Sequence, residues 1–206
     1  MDSKEYFDAV AGQWDSMRKS FFTDALRGKL IAASGSRAGM TAADIGAGTG
    51  FITEGLLKLG LKVIAVDQSE GMLKILAANF PAVDARLGQA EGLPIEDTSV
   101  DIALANMYLH HVERPARAIA EMARILKPGG RLVIGDLDSH NHEFLRAEHH
   151  DRWMGFARQD VAGWMKDAGL VDVAVNCAEE DCQAESSSAQ DKAKVSIFIG
   201  SGSRPA

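Results

Sequence analysis

Residues 41–50, TAADIGAGTG, decide how the rest of the chain is read. On their N-terminal side a short apolar run from Met40 ends in Asp44 and Ile45, and then glycine stands at every second position, Gly46, Gly48 and Gly50. FITEGLLKL follows, with Ile52, Leu56 and Leu59 spaced for one helical face. The order is strand, glycine turn, helix. A turn without Cβ atoms lets backbone N–H groups approach a bound nucleotide, and the helix behind it presents its positive end to that ligand. A dinucleotide fingerprint needs its third glycine three places after the second, but Phe51 stands there and the glycine comes one place early at Gly50. The spacing weakens a pyrophosphate cradle.

An acidic residue on each side of the turn points to a different ligand. Asp44 ends the first strand, and Asp67 ends the next apolar run, LKVIAV. It lies about 20 residues on, where a carboxylate can accept from the ribose hydroxyls. Two carboxylates repel a pyrophosphate and attract a cation. At these residues the chain resembles the class I S-adenosylmethionine-dependent methyltransferases: DIGAGTG is similar to their first motif and AVDQSEGML to their second. The resemblance covers about residues 5–200. It implies an α/β, Rossmann-like, doubly wound sheet of seven strands, mainly parallel, with an antiparallel last strand and an N-terminal helical lid. It also implies S-adenosylmethionine as cofactor and S-adenosylhomocysteine as product. The cofactor-binding candidates around the two motifs are Asp44, Gly46, Ala47, Gly48, Gly50, Asp67, Gln68 and Met72.

The chain has 206 residues, 46% apolar and 25% charged, which suits one globular domain spanning 1–206. Within it, residues 1–40 are expected as lid and 41–200 as cofactor-binding core. A net charge of −7 without a run of Lys or Arg argues against a nucleic-acid partner. No apolar run approaches the roughly 18 residues of a membrane span, and the N-terminus MDSKEYFDAV lacks an apolar signal core. A cytoplasmic protein is expected. Cys177 and Cys182 are too few for a disulfide framework and are expected as free thiols, Cys182 in a flexible loop.

Taken in order, residues 3–34 read as helical, with Phe22, Leu26 and Leu30 on one face. YFDAVAGQWD is similar to the entry segment of small-molecule methyltransferases, which makes Tyr6, Phe7 and Trp14 lid candidates, Tyr6 against the cofactor. Ser69 is a plausible cap for the helix after the second strand. AVDARLG is a third strand, and Gln89, Ala90 and Glu91 resemble the family's adenine-edge segment, with Gln89 where an acidic residue is usual. Val100, Ile102 and Leu104 form a buried strand that delivers Asn106 to the cofactor crevice.

NMYLHHVERP is similar to the type 11, ubiquinone and menaquinone C-methyltransferase branch, in which this loop lines the active site. Histidine titrates near neutral pH, so one of His110 and His111 is a base candidate, and His110 is favoured. KPGG punctuates the end of the following helix, and RLVIGDL is the fifth strand, with Asp136 and Asp138 facing the crevice. DLDSHNHEFLRAEHHDRWMGF looks closest to the methyltransferase halves of enzymes fused to a winged-helix metalloregulator. It supplies the substrate wall and two further base candidates, His142 and Asp136. His140 and His142, two apart, could share a metal with a carboxylate, but none is expected, because methyl transfer in most of the family needs none. LVDVAVNC and KVSIFIGS are the last two strands, joined by the polar loop AEEDCQAESSSAQDKA.

The expected activity is methyl transfer from S-adenosylmethionine to a small-molecule acceptor. The alternatives are a non-catalytic S-adenosyl ligand sensor and, further off, a dinucleotide-dependent oxidoreductase. The acceptor's identity and the oligomeric state are not legible.

Overall fold

The structure, a computed structural model, describes residues 3–186 and 191–206. Three N-terminal helices, α1 (Ser3–Val10), α2 (Trp14–Phe21) and α3 (Asp24–Ser34), precede β1 (Thr41–Ile45), α4 (Phe51–Lys58), β2 (Lys62–Asp67), α5 (Glu70–Asn79) and β3 (Asp84–Leu87). The second half comprises β4 (Val100–Asn106), α6 (Pro115–Ile125), β5 (Leu126–Leu137), α7 (Glu143–His149), α8 (Arg158–Asp167), β6 (Val171–Glu185) and β7 (Lys192–Ser203).

One seven-stranded sheet has the order β3-β2-β1-β4-β5-β7-β6. Its first five strands are parallel, and β7 runs antiparallel between β5 and β6. The strand order reverses between β1 and β4, so a crevice opens at their carboxyl ends, where open α/β sheets bind ligands. Alternation along the strands splits the core. Ile45, Ala43, Ala103 and Ile134 pack with Ile119 and Met122 of α6 and with Val161 and Met165 of α8. Ala42, Val63, Ile102 and Val133 pack on the other face with Leu26 and Leu30 of α3 and Ile52 and Leu56 of α4. α3 is therefore a sheet-covering helix, and only α1 and α2 are left to lie over the crevice.

The sequence reading of the C-terminal half needs correcting at two places. KPGG does not end a helix but runs inside β5, because α6 already stops at Ile125 and Leu126 takes extended backbone. Half of the expected polar loop is strand: β6 continues to Glu185 and pairs Cys182 with Val195 and Ala184 with Ala193. The polar composition misled because the outward residues Glu179, Gln183 and Glu185 are exposed while Ala178, Cys182 and Ala184 are buried on the inner face. Residues 187–190 of that loop lie outside the described residues. Leu59, expected on the buried face of α4, follows the helix end and is 44% exposed.

Candidate active site

The glycine turn is built by β1, β2 and α4 together. The N–H groups of Gly46 and Ala47 both donate to the Val66 carbonyl, at 2.9 and 3.1 Å, tying the turn to the end of β2. Gly46, Gly48 and Gly50 all have positive φ, 70°, 54° and 101°, a region that L side chains rarely adopt. Two of these glycines also make room for rings. A Cβ on Gly46 would come within 2.2 Å of the Tyr108 ring, and one on Gly50 within 2.7 Å of Phe80. Among the described residues a Cβ on Gly48 would meet only the Trp14 ring, its Nε1 at 3.4 Å.

Both motif carboxylates are part of this frame. Asp44 Oδ2 accepts from the Thr53 N–H at 2.9 Å and from the Thr53 hydroxyl at 2.6 Å, capping α4 across the turn where Gly50 has no side chain to do so. Burial pushes its pKa up to about 6 despite the Thr53 donors. Asp67 Oδ2 accepts from the Gly48 N–H at 2.8 Å and Oδ1 from the Ser69 N–H at 2.9 Å. Burial raises its pKa as well. A carboxylate oxygen has a second lone pair, so Asp67 keeps acceptor capacity for a diol.

Asp44, Gly46, Ala47, Gly48, Asp67, Gln68, Met72 and Asn106 line one cavity of about 560 Å³, open solvent included, together with Phe7, Trp14, Phe22, Met107, Tyr108 and His111. Gly50 stands just behind it at the head of α4. The lid is tied down beside it. Asp8 accepts from the Ser69 hydroxyl at 2.6 Å and the Gly71 N–H at 3.1 Å, and Asp15 accepts from the Thr49 hydroxyl at 2.7 Å.

Other sequence candidates fall elsewhere. Gln89, Ala90 and Glu91 are not in this lining. Ala90 is buried in the core, and Glu91 Oε1 accepts from the N–H groups of Glu113 and Arg114 at the entry to α6. Tyr6 faces a neighbouring cavity, its hydroxyl 3.4 Å from His149 Nδ1.

That second cavity, about 460 Å³ with open solvent included, has mostly apolar walls contributed by Tyr6, Phe21, Leu137, Leu145, Cys182 and Ala184. It shares Phe7, Trp14, Phe22, Met107 and His111 with the first. Its polar end is made by His110, His111 and Asp151. His110 Nδ1 lies 2.6 Å from Asp136 Oδ1, and His110 Nε2 lies 3.7 Å from Asp151 Oδ1. Burial opposes a charge on His110, but the two carboxylates override it and push its pKa up to about 9. Burial, with His110 alongside, holds His111 well below the usual imidazole value. His110, the favoured base candidate, thus starts protonated, and His111 is the imidazole with a lone pair to offer at neutral pH.

His142 lines neither cavity and stacks on His140 with ring centroids 5.6 Å apart. Asp138 turns away to Arg158, 2.7 Å from Nε, and to the Ser196 hydroxyl. Cys182 is a cavity wall rather than a loop thiol, and burial pushes its pKa up to about 12.

Asp151 was missed from the sequence. The N–H groups of Arg152 and Trp153 both donate to the His110 carbonyl, at 3.1 and 3.0 Å, clamping a segment some forty residues away in the chain onto the histidine turn. Only the DRW run after two histidines hinted at it.

The chemistry of the first cavity defines what it can hold. Asn106 Oδ1 is buried without a hydrogen-bond partner among the described residues, an orphan acceptor that favours a donor ligand. With Asp44 and Asp67 beside it, the site is acceptor-rich and, among the described residues, has no Lys or Arg in its lining, which suits an ammonium, a diol and a sulfonium and disfavours phosphate.

Comparison with known proteins agrees with this chemistry. Residues 43–134 match the profile of a methyltransferase domain. This match supports the class I S-adenosylmethionine-dependent methyltransferase family that the two motifs resemble. It is 43% identical over 128 residues to an uncharacterised methyltransferase of Mycobacterium tuberculosis, covering 62% of this chain and 50% of the relative. It is 37% identical over 133 residues to a demethylmenaquinone methyltransferase of Renibacterium salmoninarum, covering 63% and 56%.

The chain thus spans about half the length of the curated relatives it matches. Among solved structures, phosphoethanolamine N-methyltransferase 2 of Haemonchus contortus in complex with S-adenosyl-L-methionine shares the fold with a TM-score of 0.78 at 15% identity, over 100% of this chain and 60% of that one. YcgJ of Bacillus subtilis gives 0.75 at 18%, over 89% and 100%. No helix among the described residues is long and apolar enough to cross a membrane.

Proposed function

We propose that the chain transfers a methyl group from S-adenosylmethionine to a small acceptor with an apolar body and one polar end. The observation that carries this reading is the junction of two unlike cavities. One is acceptor-rich around the glycine turn, the other is apolar with a histidine and carboxylate end, and they share His111, Met107, Phe22 and the lid aromatics Phe7 and Trp14. Bound in the first, S-adenosylmethionine supplies a methyl group on a positively charged sulfur.

In this reading Asp67 accepts from the ribose hydroxyls, Asn106 Oδ1 accepts from the ammonium, and Gly48 gives the backbone room beneath the methionine part. Phe7 and Trp14 close over the junction and exclude water. Methyl transfer is an in-line displacement, so holding the acceptor atom against the methyl supplies most of the rate enhancement. The polar end orients the acceptor through His110, His111 and Asp151. Asp136 positions His110 and acts through it.

The supporting relatives include a protein named demethylmenaquinone methyltransferase, whose named substrate fits an apolar body with a polar end. Calorimetric titration of the chain with S-adenosylmethionine, S-adenosylhomocysteine and NADH tests the cofactor: binding of the first two and not the third is expected. Binding of NADH alone would overturn the reading. Isotope transfer from methyl-labelled S-adenosylmethionine to a pool of phenolic, quinol and amine acceptors then tests turnover, and binding without any labelled product would favour a ligand sensor.

A further inference from the structure

The end of the apolar cavity brings together donor atoms with the spacing of a metal's ligands. His110, His111 and Asp151 each place one nitrogen or oxygen within 4.8 Å of the others, and the edge from His110 Nε2 to Asp151 Oδ1 is 3.7 Å. Two ligand atoms at ~2.0–2.2 Å from one tetrahedral ion stand roughly 3.4 Å apart. Closing that edge takes only a few tenths of an ångström.

We propose that His110, His111 and Asp151 bind one divalent transition-metal ion of the zinc type at the junction of the two cavities, and that this ion holds a hydroxyl oxygen of the acceptor. The binding site stands on its own geometry. The role in acceptor binding rests on the methyl-transfer reading.

Three observations support the site. First, the atoms behind the histidines are those that orient metal ligands. Asp136 Oδ1 lies 2.6 Å from His110 Nδ1 and also accepts from the Leu137 N–H at 2.7 Å. The His150 carbonyl lies 3.4 Å from His111 Nδ1. Both contacts engage Nδ1 and leave Nε2 for an ion, the carboxylate–histidine–metal arrangement.

Second, Asp136 and Asp151 are 0% and 5% exposed, and the imidazole of His110 stands between them. One imidazolium balances one of those two charges. A dication with neutral imidazoles balances both, and uncompensated buried charge is expensive.

Third, the protein supplies three ligands and an open side. The remaining coordination position faces a cavity lined by Tyr6, Leu145 and His149, as expected where a metal binds substrate rather than only structure. An imidazolium bridging the two carboxylates would account for His110 and Asp151 but gives His111 no part.

Coordination lowers the pKa of a bound hydroxyl, so its proton passes to solvent near neutral pH. The acceptor oxygen then forms its bond to the methyl carbon as the carbon–sulfur bond breaks, with the electron pair staying on sulfur. A methyl ether and neutral S-adenosylhomocysteine result, and the ion is unchanged.

The test uses the full chain, freed of metal by a chelator, titrated with zinc(II) by calorimetry and with cobalt(II) by visible absorption. One ion per chain is expected, with cobalt bands of the intensity given by four- or five-coordinate nitrogen and oxygen ligands. His111→Ala and Asp151→Ala should each weaken binding by about 100-fold or more, and Asp136→Asn by about 10–100-fold. A His140→Ala/His142→Ala double variant should keep its metal affinity within about twofold. S-adenosylmethionine binding of Asp151→Ala, Asp136→Asn and the double variant, and the thermal midpoint of His111→Ala, whose side chain lines the cofactor cavity, report that the fold is intact. The proposal is overturned if wild type binds S-adenosylmethionine but no stoichiometric metal, if Asp151→Ala keeps full metal affinity, or if the His140/His142 variant is the one that loses it. Metal binding without S-adenosylmethionine binding would keep the site and remove the methyl-transfer reading instead.

Discussion

Asp8 on α1 accepts a 2.6 Å hydrogen bond from the hydroxyl of Ser69, the residue that caps α5 beside the cofactor cavity. The same Asp8 oxygen accepts from the Gly71 N–H at 3.1 Å. One carboxylate thus joins the lid to the loop that carries Asp67 and Gln68.

This half-buried side chain holds the first lid helix down, as Asp15 on the Thr49 hydroxyl holds the second. Asp8→Ala should weaken S-adenosylmethionine binding by roughly five- to twentyfold while leaving the thermal midpoint within a few degrees, because α1 has no buried residue to lose. The Ser69 and Lys4 side chains and the Gly71 N–H hold the Asp8 pKa down to about 2. A depressed carboxylate contributes fully above its unfolded value near 3.8 and loses that contribution as pH falls through about 2. Amide hydrogen exchange in residues 3–21 should therefore stay slow at pH 4 in wild type, and Asp8→Asn should show it faster at pH 4 and 7 alike.

Asp44 works the other way. Its pKa is raised to about 6 by burial, so the folded chain holds that proton more tightly than the unfolded chain. Stability from this group is complete below about pH 3.8 and is lost as pH rises through about 6, a cost on the order of 1–3 kcal/mol at pH 7. Asp44→Asn should be more stable than wild type at pH 7, with a flatter stability profile between pH 4 and 6 in urea melts. It should also bind S-adenosylmethionine at least tenfold more weakly. A destabilised Asn variant would show that the Thr53 contacts outweigh the buried charge.

The glycines of the turn should separate by mechanism. Gly46→Ala places a Cβ within 2.2 Å of the Tyr108 ring at φ 70° and should cost on the order of 3 kcal/mol or more. Gly48→Ala has φ 54° but meets the Trp14 ring no closer than 3.4 Å, so about 1 kcal/mol is expected. Cofactor affinity should nonetheless fall in Gly48→Ala, since its Cβ projects toward the lid. Thermal melts alongside S-adenosylmethionine titrations would read both, and equal losses of stability would contradict the Tyr108 contact.

Asn106→Ala is the cleanest separation of binding from folding. Its Oδ1 is buried without a partner among the described residues, an arrangement that costs about 1–3 kcal/mol. Removing it should leave the unliganded chain as stable or more so, and weaken S-adenosylmethionine binding tenfold or more. A variant that loses stability and keeps affinity would show that Asn106 serves the strand end, not the ligand.

The family resemblance implied which strands run parallel and that the sheet ends in an antiparallel strand; local pattern carried the glycine turn, both motif carboxylates and the strands themselves. Each of these is written in neighbouring residues, through apolar periodicity, glycine spacing or a capping residue. Tertiary structure decided what such patterns cannot encode. Gly46 and Gly50 owe their small size to Tyr108 and Phe80, rings from distant segments as well as the ligand side. Asp151 reaches His110 only because two backbone N–H groups fold a later loop onto the histidine carbonyl. Cys182 is a cavity wall only because alternate small residues let a polar stretch pair as strand. Which lid aromatic faces which cavity also depended on packing, since Tyr6 and Phe7 are adjacent in sequence yet only Phe7 reaches the glycine turn's cavity. Covalent neighbours set backbone conformation, but contacts between segments far apart in the chain set which side chains share a site.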